Sequence, residues 1–492
     1  MTSTAHRSSA VSPGKSLADQ RDGVDSASSK GGELFGHPRG LAYIVFAEAW
    51  ERFSFYGMQA LLVLYMASYL LRDGNNDQIL GFTAFAGLLR AVFGDLSVQA
   101  MTAQIFGLYV GLIYLAPVLG GYLGDRFLGR TRAVLAGAIF MVAGHLLMAF
   151  ESAFLIALGL LILGCGLLKG NLAAQVGALY AKADQRRDTA FTLYNVAITA
   201  GGTLAPLICG TLGERYGWHY GFGAAGIGMI VGCIIYLSGR HHLPPDTPDT
   251  ARPGSATLSR DEFGKVAAIL LLILVASLFW IGQTQVWNSY PLWIQSRVDR
   301  AIFDMIVPVT WFQSIDAGAA MVLVPLVLWL WRTQRQRHRE PSELSKLSIG
   351  FIFVALAFSA LAIGEWLAGL QNMVSMRWLI LFHFLVGAGF LYIGPVMMSL
   401  ISRTAPPPVN ATMVSCYYLA IFLGGFVSGW LGRFYEPLGP LAFWALHALI
   451  ALAGPVALLL LRRWISTTLS AVELIDHTKE RHGVSDAPPV AD

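Results

Sequence analysis

Three ionisable residues stand within five positions of one another inside a long apolar run. The segment reads Glu48-Ala-Trp-Glu51-Arg52-Phe53-Ser54-Phe55-Tyr56-Gly57. At 100° per residue, Glu48, Glu51, Arg52, Phe55, Tyr56 and Gln59 fall on one stripe of a helix. A charge near the centre of a membrane helix costs about 2.5–3.5 kcal/mol on insertion scales. Lipid will not accept such a stripe, so it must line a cavity or a helix contact. Two acids face one base, which leaves a carboxylate free to take up a proton. The competing reading is a structural Glu–Arg cluster that locks helices together.

A second intramembrane cation is Lys169, within Gly164-Cys-Gly166-Leu-Leu-Lys169-Gly-Asn171. A lysine there reads as a substrate or ion contact, with snorkelling to the membrane edge as the alternative. The turn Gly121-Tyr-Leu-Gly-Asp125-Arg126-Phe-Leu-Gly129-Arg130 carries charges able to latch helix ends, and Gly121 and Gly129 are read as sites of close backbone approach. His145, His383 and His447 each stand alone in apolar surroundings and read as hydrogen-bonded packing residues. Glu365 lies near a span end and is expected to be wetted; Trp280, Trp287 and Trp311 either shape a pocket or pack. The four cysteines lie in apolar runs without metal-ligand spacing and read as small hydrophobes.

The elements that must position these groups follow from composition. The 492 residues are 55% hydrophobic and only 13% charged, with 52 glycines. A soluble domain carries about 25% charge, whereas a lipid-solvated bundle suits this balance and its glycine content. A membrane helix needs about 20 apolar residues. Twelve such runs are legible: 41–69, 104–123, 131–150, 153–178, 189–212, 219–238, 264–290, 307–331, 348–369, 378–401, 411–432 and 439–461. Hence the expected fold is an all-α membrane protein with two six-helix halves, 41–238 and 264–462. A polar linker, 239–263, joins them, with tails at 1–40 and 463–492, the first without the apolar core of a signal peptide. A site between such halves lies near the midplane. Fifteen Lys or Arg occupy loops after even-numbered spans against seven after odd-numbered ones. The positive-inside rule therefore puts the even loops and both termini in the cytoplasm. The stretch between the first two spans holds an amphipathic piece near Phe82–Phe93, expected at the outer interface. Basic residues form no stripe for nucleic acid. No nucleophile–base pair or metal-ligand cluster points to an enzyme.

Glu-x-x-Glu-Arg-Phe with its Tyr-Gly ending resembles the first-span signature of the proton-dependent oligopeptide transporter family, of the major facilitator superfamily. The 121–130 turn is similar to that family's version of the major facilitator loop. The likeness continues through Tyr114-Leu-Ala-Pro117, Lys169-Gly-Asn171, Phe191-Thr-Leu-Tyr194, Trp311-Phe-Gln313-Ser314, Glu340-Pro341-Ser342 with Lys346, and Ala405-Pro406, covering about residues 41 to 432. It implies a major facilitator fold with Glu48, Glu51 and Arg52 handling the proton. It also implies that Arg52 and Lys169 hold a peptide carboxylate, with Tyr56 and Tyr114 lining the pocket.

The departures from the family pattern concern the other end of the substrate. Phe55 stands where the family has Tyr, and Gln59 where it often has Arg. The fifth-span Ile-Asn-x-Gly is Ile198-Thr199-Ala-Gly201, and the seventh-span Glu-Gln is Thr284-Gln285. The eighth-span Gln-Ser-x-Asn-Pro is Gln313-Ser-Ile-Asp316-Ala317; the tenth-span acid is Phe390; an eleventh-span Trp is Tyr417. Linker 239–263 leaves no room for the two extra helices of many bacterial members. Trp280, Gln285, Gln313, Asp316, Phe390 and Tyr417 are thus the expected pocket residues of the carboxy-terminal half. Asp316 is the anion offered there, as amine counter-ion or second proton site.

The expected activity is proton-coupled import of di- or tripeptides or related small solutes by alternating access. The alternatives are a relative retuned to a non-peptide solute and a transport-inactive sensor. No cofactor is expected beyond the proton gradient. The expected surroundings are substrate, protons and the lipid bilayer, with no nucleic acid, for a monomer in a bacterial inner membrane.

Overall fold

A computed structural model describes residues 32–72, 74–181, 184–244 and 258–482, with the side chains of 411 and 470–482 not described. Most of the amino-terminal tail, Lys182, the linker prolines from Pro245 to Pro253 with Arg252, and the last ten residues lie outside the described residues.

Among the described residues, twelve helices are long and apolar enough to cross a membrane. They are, in order, Arg39–Leu70, Val98–Leu128, Arg130–Leu147, Glu151–Ala178, Arg186–Tyr216 and Trp218–His242 in the first half. The second half holds Arg260–Arg297, Val309–Gln336, Glu343–Ala368, Met376–Thr404, Thr412–Gly432 and Tyr435–Leu469. Several begin before the apolar run does, because a helix starts at its cap in water rather than at the lipid edge. Ser259 accepts from the Glu262 amide at 3.3 Å while Glu262 accepts from the Ser259 amide at 2.9 Å, starting the seventh span. Ser342 likewise caps the ninth. At the other end, the last helix runs on to His482, where the sequence reading placed a tail from 463. Phe82–Phe93 is a helix, as its amphipathic pattern requires.

Within the first half, the first span packs on the fifth and sixth, and the fourth on the second and third. In the second half the ninth packs on the tenth and twelfth, the seventh on the eleventh and twelfth, and the eighth on the tenth. The halves meet along two seams, second span against eleventh and fifth against eighth. At the first seam the backbones nearly touch. A Cβ on Gly107 would lie 2.5 Å from the Gly429 Cα and 2.6 Å from the Gly425 carbonyl oxygen.

Hydrogen bonds between the halves, among the described residues, lie on the side away from the 239–263 linker, here called the far side. Asn288 Nδ2 donates to the Ala103 carbonyl at 3.2 Å, Trp311 Nε1 to Thr211 Oγ1 at 2.7 Å, and Arg433 Nη1 to the Phe93 carbonyl at 2.6 Å. Glu214, near the far end of the fifth span, accepts three bonds at the first turn of the eighth. These come from the Val309 amide (2.8 Å), the Thr310 amide (2.9 Å) and Thr310 Oγ1 (2.8 Å). A carboxylate from one half thus caps a helix of the other.

Candidate functional site

The first-span stripe folds as its spacing requires. Glu48, Glu51 and Arg52 are each only 1% exposed. Arg52 Nη2 donates to Glu51 Oε1 at 2.6 Å, and its Nε donates to Glu51 Oε2. Glu48 lies one turn back, 3.4 Å from the same Nε. The Arg52 guanidinium also sits 4.8 Å from the centre of the Phe55 ring. The fifth span comes close enough to enclose the cluster because Gly201 lacks a side chain. A Cβ there would stand 2.6 Å from the Ala49 carbonyl oxygen and 2.8 Å from the Arg52 Cβ. Tyr194 of the same span faces Glu48. Arg52 gives its hydrogen bonds to Glu51, so Glu48 is the surplus carboxylate. A desolvated surplus anion is costly unless protonated or paired.

Lys169 stands against aromatic rings rather than an acid. Its Nζ lies 4.2 Å from the Tyr114 ring centre and 5.7 Å from that of Tyr418 in the other half. Those rings stack at 6.3 Å and 19°. Among the described residues Lys169 makes no ion pair. Ring faces weakly neutralise a cation, so this ammonium remains able to take an anionic ligand. Tyr56 meets Trp287 of the seventh span, rings 5.5 Å apart. Tyr56, Tyr114, Lys169 and Tyr418 thus border the space between the halves, while Phe55 is buried beneath Arg52.

Across that space, Trp280 Nε1 donates to the Tyr417 hydroxyl at 3.3 Å, and Phe390 packs on Phe279 and Trp280. Asp316 accepts from Gln283 Nε2 at 2.8 Å and lies 3.7 Å from His383 Nδ1. Gln285 and Gln313 are placed otherwise than as pocket walls. Gln285 Nε2 donates to the Ser428 carbonyl at 3.2 Å while its Oε1 accepts from the Ser289 amide at 3.3 Å. Gln313 Nε2 donates to the Val286 carbonyl at 3.4 Å. Both are fully buried and brace the seventh span where its helix breaks.

The sequence model of the POT family matches residues 131–259 and 250–437. The chain belongs to the POT family. It is 28% identical to the di-/tripeptide transporter of Lactococcus lactis subsp. cremoris, over 87% of this chain and 96% of that one. It is 28% identical to the peptide transporter YePEPT of Yersinia enterocolitica, over 83% and 90%. A crystal structure of a peptide transporter POT in complex with sulfate superimposes with a TM-score of 0.78 at 27% identity, covering 90% of this chain and 98% of that one. The fold is accordingly the major facilitator fold of POT transporters, and the chain is a multi-pass membrane protein.

In this POT-family chain the remaining expectations fall unevenly. Asp125 and Arg130 pair at 2.9 Å within one turn, both substantially exposed, and Arg126 lies 5.9 Å from the Tyr122 ring. The close approach expected at Gly121 is instead at its neighbour Gly120, where an added Cβ would strike the Gly166 carbonyl; nothing lies near Gly121. Glu365 is not wetted. It is 6% exposed, accepts from Trp293 Nε1, and pairs with Arg297 at 2.9 Å. Sequence reasoning also missed Glu214, Gln283 and Tyr418. Glu214 looks like any loop charge, because its partner is backbone 95 residues away. On the linker side, a cavity of 680 Å³ is lined by Trp331, Glu340, Lys346 and Arg403 among others. Arg335 and Lys346 donate to Glu340 at 2.7 and 2.6 Å and hold its carboxyl at about 2, below the ordinary value.

Proposed function

We propose that this chain is a proton-coupled symporter that imports di- or tripeptides, or closely related small solutes, by alternating access. The observation that carries this reading is the buried Glu48–Glu51–Arg52 cluster with the unpaired Lys169 beside the same space. Arg52 is occupied by Glu51. With the surplus carboxylate Glu48 already protonated, protonation of Glu51 would release the guanidinium, and a substrate carboxylate could then sit between Arg52 and Lys169. Proton and carboxylate would thus bind together, which is what symport requires. The names of the Lactococcus and Yersinia relatives support the substrate class. A related structure of a POT mutant in complex with alafosfalin, 28% identical at a TM-score of 0.78, supports a small-molecule ligand.

The bonds that hold the far side closed leave the linker side as the open one in this conformation. With the linker side cytoplasmic, as the excess of basic residues there favours, this is the inward-facing state of a monomer in the bacterial inner membrane, with both termini inside. The energy source is the proton gradient, without a cofactor or a covalent step. The relatives do not favour the alternative of a solute other than a peptide, and one observation keeps it worth testing. Phe390 presents a ring packed on Trp280 where the family resemblance implies an acid for the substrate amine.

Purified protein in proteoliposomes tests the proposal. Labelled dipeptide should accumulate when the outside is acid and should fail to accumulate with a protonophore. Uptake that ignores the protonophore, or follows sodium, would refute symport. A thermal-shift screen against dipeptides, amino acids, nitrate and organic acids separates the two substrate readings.

A further inference from the structure

A buried polar chain crosses the carboxy-terminal half and is used by none of the steps above. It starts at Asp316 on the eighth span, 13% exposed at its side chain, and leads to His383 on the tenth, which is fully enclosed. His383 Nε2 is 3.1 Å from the Tyr290 hydroxyl of the seventh span. Its Nδ1 has no hydrogen-bond partner and lies 3.7 Å from Asp316 Oδ1. Four residues from three spans therefore converge: Gln283, Tyr290, Asp316 and His383.

The chemistry of each partner suits a proton. A tyrosine hydroxyl can donate to a neutral imidazole or accept from an imidazolium, so Tyr290 fits both charge states without moving a heavy atom. Gln283 donates to Asp316 Oδ2 and leaves Oδ1 for the ring. A neutral histidine with an idle nitrogen in a dry interior is expensive, and a shift of under 1 Å would close the Nδ1–Oδ1 gap into a charge-assisted bond. An intramembrane ionisable pair is a functional-site candidate by default.

Other titratable groups packed near the pair are occupied. On the seventh and ninth spans, Arg297 and Glu365 neutralise each other beyond Trp293. On the twelfth, His447 Nδ1 donates within its own turn, to the Phe443 carbonyl 2.8 Å away, and its ring packs on Phe358; Tyr435 packs on Phe443 and Trp444. Asp316 is thus the anion that faces His383, and it is the member of the pair that is not fully enclosed.

We infer that Asp316 and His383 together form a second proton-binding site, which takes one proton from the inter-half space and holds it between carboxylate and imidazole. The reaction is a simple gain of H⁺ by the pair, with no other bond made or broken. The inference deepens the symport reading: one proton travels at Glu48–Glu51–Arg52 and another in the opposite half. A substrate without an amine would then meet a neutral wall there rather than a bare anion.

Two measurements test it on the full chain. In proteoliposomes, reversal-potential measurements with a dipeptide should give one proton fewer per substrate in H383Q and in D316N than in wild type, with uptake still driven by external acid. Any fall in the rate of driven uptake in either variant should be equal for free-amine and N-acetylated peptides. An unchanged stoichiometry in both variants overturns the site. So does a D316N loss confined to free-amine peptides, which would make Asp316 an amine counter-ion. Independently of transport, ¹⁵N-histidine NMR follows His383 itself, identified by the signal lost in H383Q or, should that variant fail to insert, by the signal displaced in D316N. Its ring ¹⁵N shifts should respond to pH in wild type, and that response should be altered in D316N. A His383 signal constant from acid to alkaline pH refutes the inference whatever drives uptake. Proton-independent uptake by wild type would refute the symport reading instead and leave the titration to decide the site.

Discussion

Glu214→Gln isolates the energy that holds the far side shut. In the closed state the Glu214 carboxylate takes all three donors at the start of the eighth span. Two of them, the amide and hydroxyl of Thr310, meet Oε1, and the Val309 amide meets Oε2. A glutamine keeps one acceptor oxygen and sets its NH₂ against a donor at the other position. One bond is lost outright, two fall from charge-assisted to neutral strength, and the favourable charge at a helix N-terminus disappears. Charge-assisted bonds contribute about 1.5–3 kcal/mol and neutral ones about 0.5–1.5, and the dipole contributes about 0.3–1 kcal/mol at a half-exposed site. Hydration of the freed groups in the open state offsets much of the gross sum, leaving about 2–3 kcal/mol. At 1.4 kcal/mol per tenfold, the closed-to-open ratio should fall about 30- to 150-fold. A wild type closed at roughly 100:1 would become an even mixture. Spin labels at Tyr216 and Phe303, both strongly exposed on the far side, report the change as a new long-distance population in E214Q. A distance distribution identical to that of wild type would refute the capping argument, and with it the claim that this carboxylate ties the halves.

Three further outcomes are expected. Glu51→Gln should abolish gradient-driven uptake yet leave counterflow exchange measurable, because the binding cations remain; loss of both in a well-inserted protein would contradict the assignment. Lys169→Ala should end transport without preventing membrane insertion, and amidating the carboxyl of a dipeptide should weaken its binding to wild type by tenfold or more (about 1.4 kcal/mol); equal competition by amide and acid would remove the anchor. The clasp around Glu340 should not respond to pH in transport assays. Its carboxyl is held at about 2 against an ordinary 4.5, so its contribution is complete above the ordinary value and is lost only as pH falls toward 2. Glu340→Gln should therefore leave the shape of the uptake–pH curve between pH 5 and 8 unaltered, as parallel rate profiles would show.

The twelve spans were legible because lipid demands an uninterrupted apolar length, and nothing local competes with that signal. Their ends were less so. The helix from Arg260 begins in polar sequence at a capping box, and the last helix continues past 463 on residues that hydropathy reads as tail. The first-span cluster was legible for a similar reason: Glu48, Glu51 and Arg52 lie within two turns, so helix geometry alone brings them together. The carboxy-terminal half was harder. Asp316, Gln283, His383 and Tyr290 come from three spans, and no local pattern links them. His383 looked like a packing residue because its partners are distant in sequence. Gln285 and Gln313 sit at positions that a helical wheel turns inward, yet both amides are taken up by backbone carbonyls, Gln313 by Val286 at the broken end of the seventh span and Gln285 by Ser428 on the eleventh. Side chains that mend backbone and side chains that face a ligand look alike until the tertiary contacts are known.

The contact between Gly107 and Gly429 gives the chain an unusual map of mutational tolerance. Neither residue has chemistry, yet a Cβ on Gly107 would overlap the eleventh-span backbone, and one on Gly429 would press on the second at 3.0 Å, while the far side is shut. A Cβ at either position pushes the second span from the eleventh and favours the opposite face of the cycle. Trp280 or Tyr417, in the pocket itself, have neighbours that can repack around a smaller ring. Saturation mutagenesis under selection for uptake should therefore be harsher at two residues without side chains than at many that border the solute, and alanine, the mildest change elsewhere, should be among the informative ones here.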